Sequence, residues 1–172
     1  AKDPFTKEHS HNVAGYSVAI AREMGMPQQE IDIIKYASLL HDIGKISVPQ
    51  EILIKTDPLT PEEYCVLQKH PVVGVSIVKD IKFMEKEIPI ILHHHERFDG
   101  KGYPNGLMGR EIPLGARIVA AADAYDAMTS GRGYKGKLSP LEAQEELKKG
   151  SGSQFSPEIV EFFISALEGG KV

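Results

Sequence analysis

The chain has a single cysteine, Cys65, in 172 residues, so no internal disulfide can form and nothing in its cysteine usage asks for an oxidising compartment. The base rate for such a residue predicts a buried, unreactive position in helix packing. No uncharged apolar run approaches the roughly 18 to 20 residues that a membrane helix needs, and no N-terminal signal pattern is present. The expected location is therefore cytoplasmic. A basic surface is also missing: 20 Lys and Arg stand against 24 Asp and Glu, for a net charge of −4. That balance argues against a binder of polymeric nucleic acid but leaves a small anionic ligand open, since a few local cations suffice for one. Internal repeats, low-complexity segments and convincing alternating runs are lacking too. The length fits one domain with its own core. The start at Ala1-Lys2-Asp3-Pro4 lies almost on top of the first motif, which suggests that residues 1–172 are a domain excised from a longer, regulated protein.

What the sequence does carry is helical punctuation. Thr6 is expected to cap a first helix over about 7 to 25, with Val13, Tyr16, Ile20 and Met24 spaced by three or four and Gly25 with Pro27 at its end. A second helix over about 28 to 43 places His41-Asp42 on its last turn and stops at Gly44. Thr60-Pro61-Glu62-Glu63 and Ser139-Pro140-Leu141-Glu142 are capping boxes with proline at the first helical position. Pro71 divides a helix near about 61 to 70 from one near 72 to 83. Further helices are expected at about 87 to 95, 113 to 130 and 157 to 168. Gly150-Ser151-Gly152-Ser153 reads as a short flexible connector. The fold class is all-α, a single helical bundle whose longest irregular excursion is the glycine-rich stretch from Phe98 to Gly109. Those glycines permit tight folding and close backbone approach.

The chemistry lies in nitrogen and oxygen donors. His9, His41, Asp42, His70, His94, His95 and Asp123 together offer enough of them for two divalent ions, and imidazole with carboxylate suits iron, manganese or zinc. Singly, each histidine is more often a hydrogen-bonded structural residue. As a set, histidines at the ends of apolar helices would carry heavy polar costs that coordination relieves. His11 lies two residues from His9 and faces elsewhere on a helix, so it is expected to be exposed; His93 is the other histidine left over.

Two strings, His41-Asp42-Ile43-Gly44-Lys45 and His94-His95-Glu96-Arg97-Phe98-Asp99-Gly100-Lys101-Gly102-Tyr103-Pro104, resemble the signature of the HD-GYP domain. This is a bacterial branch of the HD metal-dependent phosphohydrolases that degrades cyclic dinucleotides. The resemblance runs from Phe5-Thr6 through Pro49, Leu59-Thr60, Gly106-Leu107, Ile112-Pro113 and Ala116-Arg117-Ile118 to Thr129-Ser130, Tyr134, Phe155 and Pro157. It implies that His9, His41, Asp42 and Asp123 form one metal quartet, and that His70, His94 and His95 complete a second site across an Asp42 bridge. Phe5 stands where some members have a third-site glutamate, so two ions are expected, iron or manganese with zinc as the alternative. Asn12 replaces a frequent arginine and Ser156 a usual aspartate.

The implied reaction is hydrolysis of cyclic di-GMP to linear pGpG, with GMP as an open further product, by in-line attack of a metal-bridging hydroxide. Lys45 would neutralise transition-state charge or protonate the leaving oxygen. Arg132 and Lys135 match phosphate-contacting positions. Asp126, three residues after Asp123 on a similar helix face, is placed to support a ligand, while Tyr103 and Pro104 shape the pocket. The sequence keeps two rival readings: a cyclic-dinucleotide sensor without turnover, and an HD hydrolase acting on a dNTP or a guanosine alarmone. The intact donor set disfavours the first, and Gly102-Tyr103-Pro104 disfavours the second.

Overall fold

A computed structural model describes residues 4–130 and 136–170, with the side chains of residues 4–6 left aside. The architecture among these residues is helical, without a named strand: α1 (Pro4–Glu23), α2 (Gln28–Leu40), α3 (Gln50–Leu53), α4 (Pro61–Leu67), α5 (His70–Val78), α6 (Ile88–His93), α7 (Leu114–Ser130), α8 (Pro140–Lys149) and α9 (Pro157–Glu168). Short 3-10 turns occupy Ile43–Ser47, Lys82–Met84 and Gly109–Glu111. None of these helices is long and apolar enough to cross a membrane.

Local chemistry explains most boundaries. At the end of α1, Met26 N–H donates to Ala21 O and Gly25 N–H to Arg22 O, with Gly25 at φ 69°. This is the paired bonding of a helix closed by left-handed glycine. Thr60 and Ser139 form the expected reciprocal caps with Glu63 and Glu142. The other end of α1 differs from expectation, because the helix begins at Pro4 and Thr6 lies inside it instead of capping it. Proline at the first helical position costs no hydrogen bond. Helix α2 also stops earlier, at Leu40, and the chain tightens through His41 and Asp42 into the 3-10 turn. Gly44 is needed there for contact: a Cβ on it would collide with the His70 carbonyl and stand 2.5 Å from Gly74 N. Helix α5 begins at His70 with Pro71 in its first turn and ends at Val78, short of residue 83.

Around this frame α1 packs on α2, α7 and α9, and α7 also meets α6 and α8. Val13, Ile20, Ile34, Ile91, Ile118 and Phe163 fill the core. Small residues on α7 allow close approach; a Cβ at Gly115 would strike the Ile90 side chain. Two further expectations fail. Cys65 is exposed on α4, a helix without a buried residue. The segment 150–153 is a hydrogen-bonded turn and no loose connector: Gln154 and Phe155 N–H both donate to Gly150 O, and Gly152 N–H donates to Phe155 O. The same turn accepts Phe98 N–H at Gln154 O and Asp99 N–H at Ser153 O, and so holds the base of the glycine-rich loop.

Candidate metal centre

Helix ends bring the donors together. Any α-helix leaves its last carbonyls without intrahelical partners, and three histidines exploit this. His41 Nδ1 donates to Ser38 O at 2.6 Å, His70 Nδ1 to Leu67 O at 2.7 Å, and His94 Nδ1 to Ile91 O at 2.7 Å. Each bond closes back over three residues at the end of α2, α4 or α6 and leaves Nε2 pointing inward. His9, inside α1, solves the same problem with a carboxylate: its Nδ1 lies 2.6 Å from Asp126 Oδ2. Asn12 steadies Asp126 through its other oxygen at 2.9 Å. Such partners fix ring orientation and tautomer.

Asp42 occupies the middle. Its Oδ2 faces His9 Nε2 at 3.6 Å and His41 Nε2 at 3.5 Å, while its Oδ1 faces His70 Nε2 at 3.3 Å. Asp123, from α7, reaches His9 Nε2 at 3.2 Å and His41 Nε2 at 3.9 Å. Donor atoms of His9, His41 and Asp42 form one cluster, and those of Asp42, His70, His94 and His95 a second, each within 4.8 Å. All seven residues named from the sequence thus converge. Lys45 Nζ binds Asp42 Oδ2 at 2.6 Å. Arg132 and Lys135 lie outside the described residues, as does the Phe5 side chain. His11 is exposed, and His93 turns to Glu96 at 3.6 Å.

The polar atoms of this centre fit a cation. His41 Nε2 and Asp42 Oδ1 are buried without a hydrogen-bond partner, a costly state unless something positive lies beside each. His70 Nε2 and His94 Nε2 face each other at 3.3 Å. With both Nδ1 atoms donating to carbonyls, these are two lone pairs pointed at one another. Burial lowers the proton affinity of His94 well below its usual range and that of His95 to about 4; it lowers His70 as well, against the pull of Asp42. These rings are neutral and ready to coordinate. His9 behaves oppositely: burial opposes its charge, but Asp123, Asp126 and Asp42 outweigh burial and push it up to about 11. Burial would raise Asp42, yet Lys45, His41, His9 and His70 hold it well below the carboxylate range.

The glycine-rich loop closes one side. Glu96, 3% exposed, accepts Asn105 N–H at 2.7 Å and Leu107 N–H at 3.1 Å. Gly100, Gly106 and Gly109 take φ of 76°, 68° and 60°, angles that favour glycine. Tyr103 stacks on His95 with centroids 4.8 Å apart. A cavity of about 190 Å³ opens beside His95 and Asp123, with Arg97 and Gln154 on its wall. The structural role of Glu96 was not read from the sequence, where its one use was to fix the register of the three histidines. An acidic residue immediately before a glycine-rich loop was the available signal.

A family model described as HD domain matches residues 1–159. The chain is 44% identical over 165 residues to a cyclic di-GMP phosphodiesterase of Thermotoga maritima, covering 95% of this chain and 45% of that protein. It is 39% identical over 166 residues to 3'3'-cGAMP-specific phosphodiesterase 2 of Vibrio cholerae, covering 95% and 32%. It therefore spans less than half the length of these relatives. Among solved structures, an HDG"Y"P protein from Bdellovibrio bacteriovorus superposes with a TM-score of 0.77 at 26% identity, over 95% of this chain and 53% of that one. The family model covers nearly the whole chain, and the convergent His-Asp cluster lies inside the matched span: the chain belongs to the HD-domain family, as its HD-GYP strings anticipate.

Proposed function

We propose that this chain is a metal-dependent phosphodiesterase domain that hydrolyses cyclic di-GMP to linear pGpG, with GMP as the possible further product. The observation that carries the reading is the approach of His70 Nε2 and His94 Nε2 to 3.3 Å, with both Nδ1 atoms turned to backbone carbonyls, beside a carboxylate oxygen without a hydrogen bond. A cation held there would turn that repulsion into coordination. In this reading His9, His41, Asp42 and Asp123 hold one ion, and Asp42, His70, His94 and His95 hold a second. Iron or manganese is the expected metal, with zinc as the alternative; mixed imidazole and carboxylate ligands suit all three.

Bound ions would supply an activated water and polarise a phosphoryl oxygen. The chain's own groups do the rest. Asp42 offers one oxygen to each cluster, which sets the separation of the sites. Lys45 brings a positive charge to the mouth of the centre, where it stabilises charge on the phosphoryl group or delivers a proton to the departing ribose oxygen. Arg132 and Lys135 hold the second phosphate of the substrate, a role that rests on their match to the HD-GYP pattern. The curated relatives extend well beyond the matched region, which supports a regulatory domain joined to residues 1–172 in the full protein.

The likeness to a cGAMP-specific relative supports a second substrate reading, a mixed guanine-adenine ring. Turnover of metal-reconstituted protein against both rings, with product chromatography and metal analysis, tests all of this. Two ions per chain and faster loss of cyclic di-GMP are expected. Three well-occupied ions on protein ligands, or no turnover of either ring by loaded protein, would sink the proposal.

A further inference from the structure

One histidine of the second cluster is held differently from the others. His41, His70 and His94 are oriented by carbonyls and His9 by Asp126. Among the described residues, no side-chain hydrogen bond orients the His95 ring; Tyr103 covers it instead, with ring planes 27° apart. The edge of Tyr64 meets the Tyr103 ring, with centroids 6.4 Å apart.

Tyr103 is itself pinned from behind. Its N–H donates to His95 O at 3.2 Å. Gly102 presses so closely on the preceding turn that a Cβ there would collide with Arg97 N and stand 2.5 Å from His95 O. The buried Glu96 carboxylate accepts the N–H groups of Asn105 and Leu107 just beyond Tyr103. Charge-assisted bonds of this kind are stronger than neutral ones; they hold the chain just after the tyrosine, as the close approach of Gly102 holds it just before.

We propose that Tyr103, pinned by Glu96, is a positioning residue that fixes the ring of His95 toward Asp42, His70 and His94, a task that hydrogen bonds perform for the other histidines. The inference rests on the reading that this cluster holds an ion. Stacking needs the aromatic ring and not the hydroxyl, so phenylalanine should serve in its place. Loss of an orienting partner of a ligand typically costs about ten- to a hundred-fold in metal affinity, and the cost should fall on the second ion alone.

The test is a titration of the demetallated full chain with Mn(II), free ion being read by electron paramagnetic resonance. Wild type is compared with Tyr103→Ala, Tyr103→Phe, Glu96→Gln and His94→Ala. Tyr103→Ala is expected to weaken the second ion about ten- to a hundred-fold and leave the first unchanged. Tyr103→Phe should retain both ions, and Glu96→Gln should shift the second in the same direction as Tyr103→Ala. If Tyr103→Ala does not fold, Glu96→Gln decides, and wild-type affinity for the second ion in that variant overturns the proposal. Equal weakening of both ions by Tyr103→Ala, or equal defects in the Ala and Phe variants, also overturns it. Retention of both ions by His94→Ala would instead refute the underlying reading of the second cluster.

Discussion

Lys45 Nζ lies 2.6 Å from Asp42 Oδ2, the same oxygen that faces His9 Nε2 at 3.6 Å and His41 Nε2 at 3.5 Å. An ion held by the first cluster would therefore share that carboxylate oxygen with the ammonium. A dication there would weaken the lysine's hold and leave its charge available to an entering anion. On the proposed reading, Lys45 and the first ion would compete for Asp42 before acting together on a phosphate.

Replacing Lys45 with alanine should accordingly lower kcat by about 10²- to 10⁴-fold, the usual range for a general acid or base, without weakening the first ion. Parallel measurement of kcat and of metal affinity checks this. A fall in affinity alongside kcat would make Lys45 a support for Asp42 and remove it from the chemistry.

Asp42 is the one residue shared by both clusters, whereas His93 turns away to Glu96. Asp42→Ala should abolish turnover and deplete both ions; His93→Ala should largely spare them. Metal content and turnover of each folded variant decide the matter, and equal losses in the two would show the bridge assignment to be wrong.

Demetallated protein should show a stability maximum in mildly acidic to neutral solution. Burial lowers His95 to about 4 from an ordinary 6.5, so between these values the unfolded chain binds a proton that the folded ring refuses, and stability rises with pH. His9 is raised from 6.5 to about 11 by its aspartates, against burial. Its contribution is complete below 6.5 and is lost as pH rises toward 11. Loading the first cluster must displace that proton, so first-ion affinity should climb with pH through the same range. Denaturant unfolding and metal titration across pH check both slopes; a first-ion affinity that is flat with pH would contradict the protonated His9.

Arg132 and Lys135 yield a prediction from sequence alone. Alanine at both should weaken cyclic di-GMP binding about ten-fold or more per residue if each charged contact is worth roughly 1.5 to 3 kcal/mol, while metal content stays near wild type. A cyclic di-GMP titration of the metal-loaded double variant at fixed salt is the measurement. Unchanged affinity would reduce both to ordinary surface cations.

Part of the donor set was legible in short contiguous strings, His41-Asp42 and His94-His95; His9, His70 and Asp123 stand alone in the chain and were picked out through the HD-GYP resemblance. Helix boundaries were legible where side chains act locally, as in the caps of Thr60 and Ser139 and the glycine closure at Gly25. Boundaries set by distant packing were not. The turn at 150–153 looks loose in composition, yet backbone bonds within residues 150–155 order it and further bonds tie it to Phe98 and Asp99, more than fifty residues upstream. Cys65 failed for a similar reason. General cysteine statistics said buried, but α4 is a short surface helix that turns no side chain into the core.

The bond between His9 and Asp126 joins positions 117 residues apart in the chain. An ion held by His9, His41 and Asp123 would lock that junction as a disulfide would, in a molecule with only one cysteine. Covalent closure of a loop of about a hundred residues is worth roughly 4 to 5 kcal/mol through the entropy it removes from the unfolded chain. An ionic staple of this span can be withdrawn by a chelator or by acid, so metal supply would set the lifetime of the folded domain as well as its turnover.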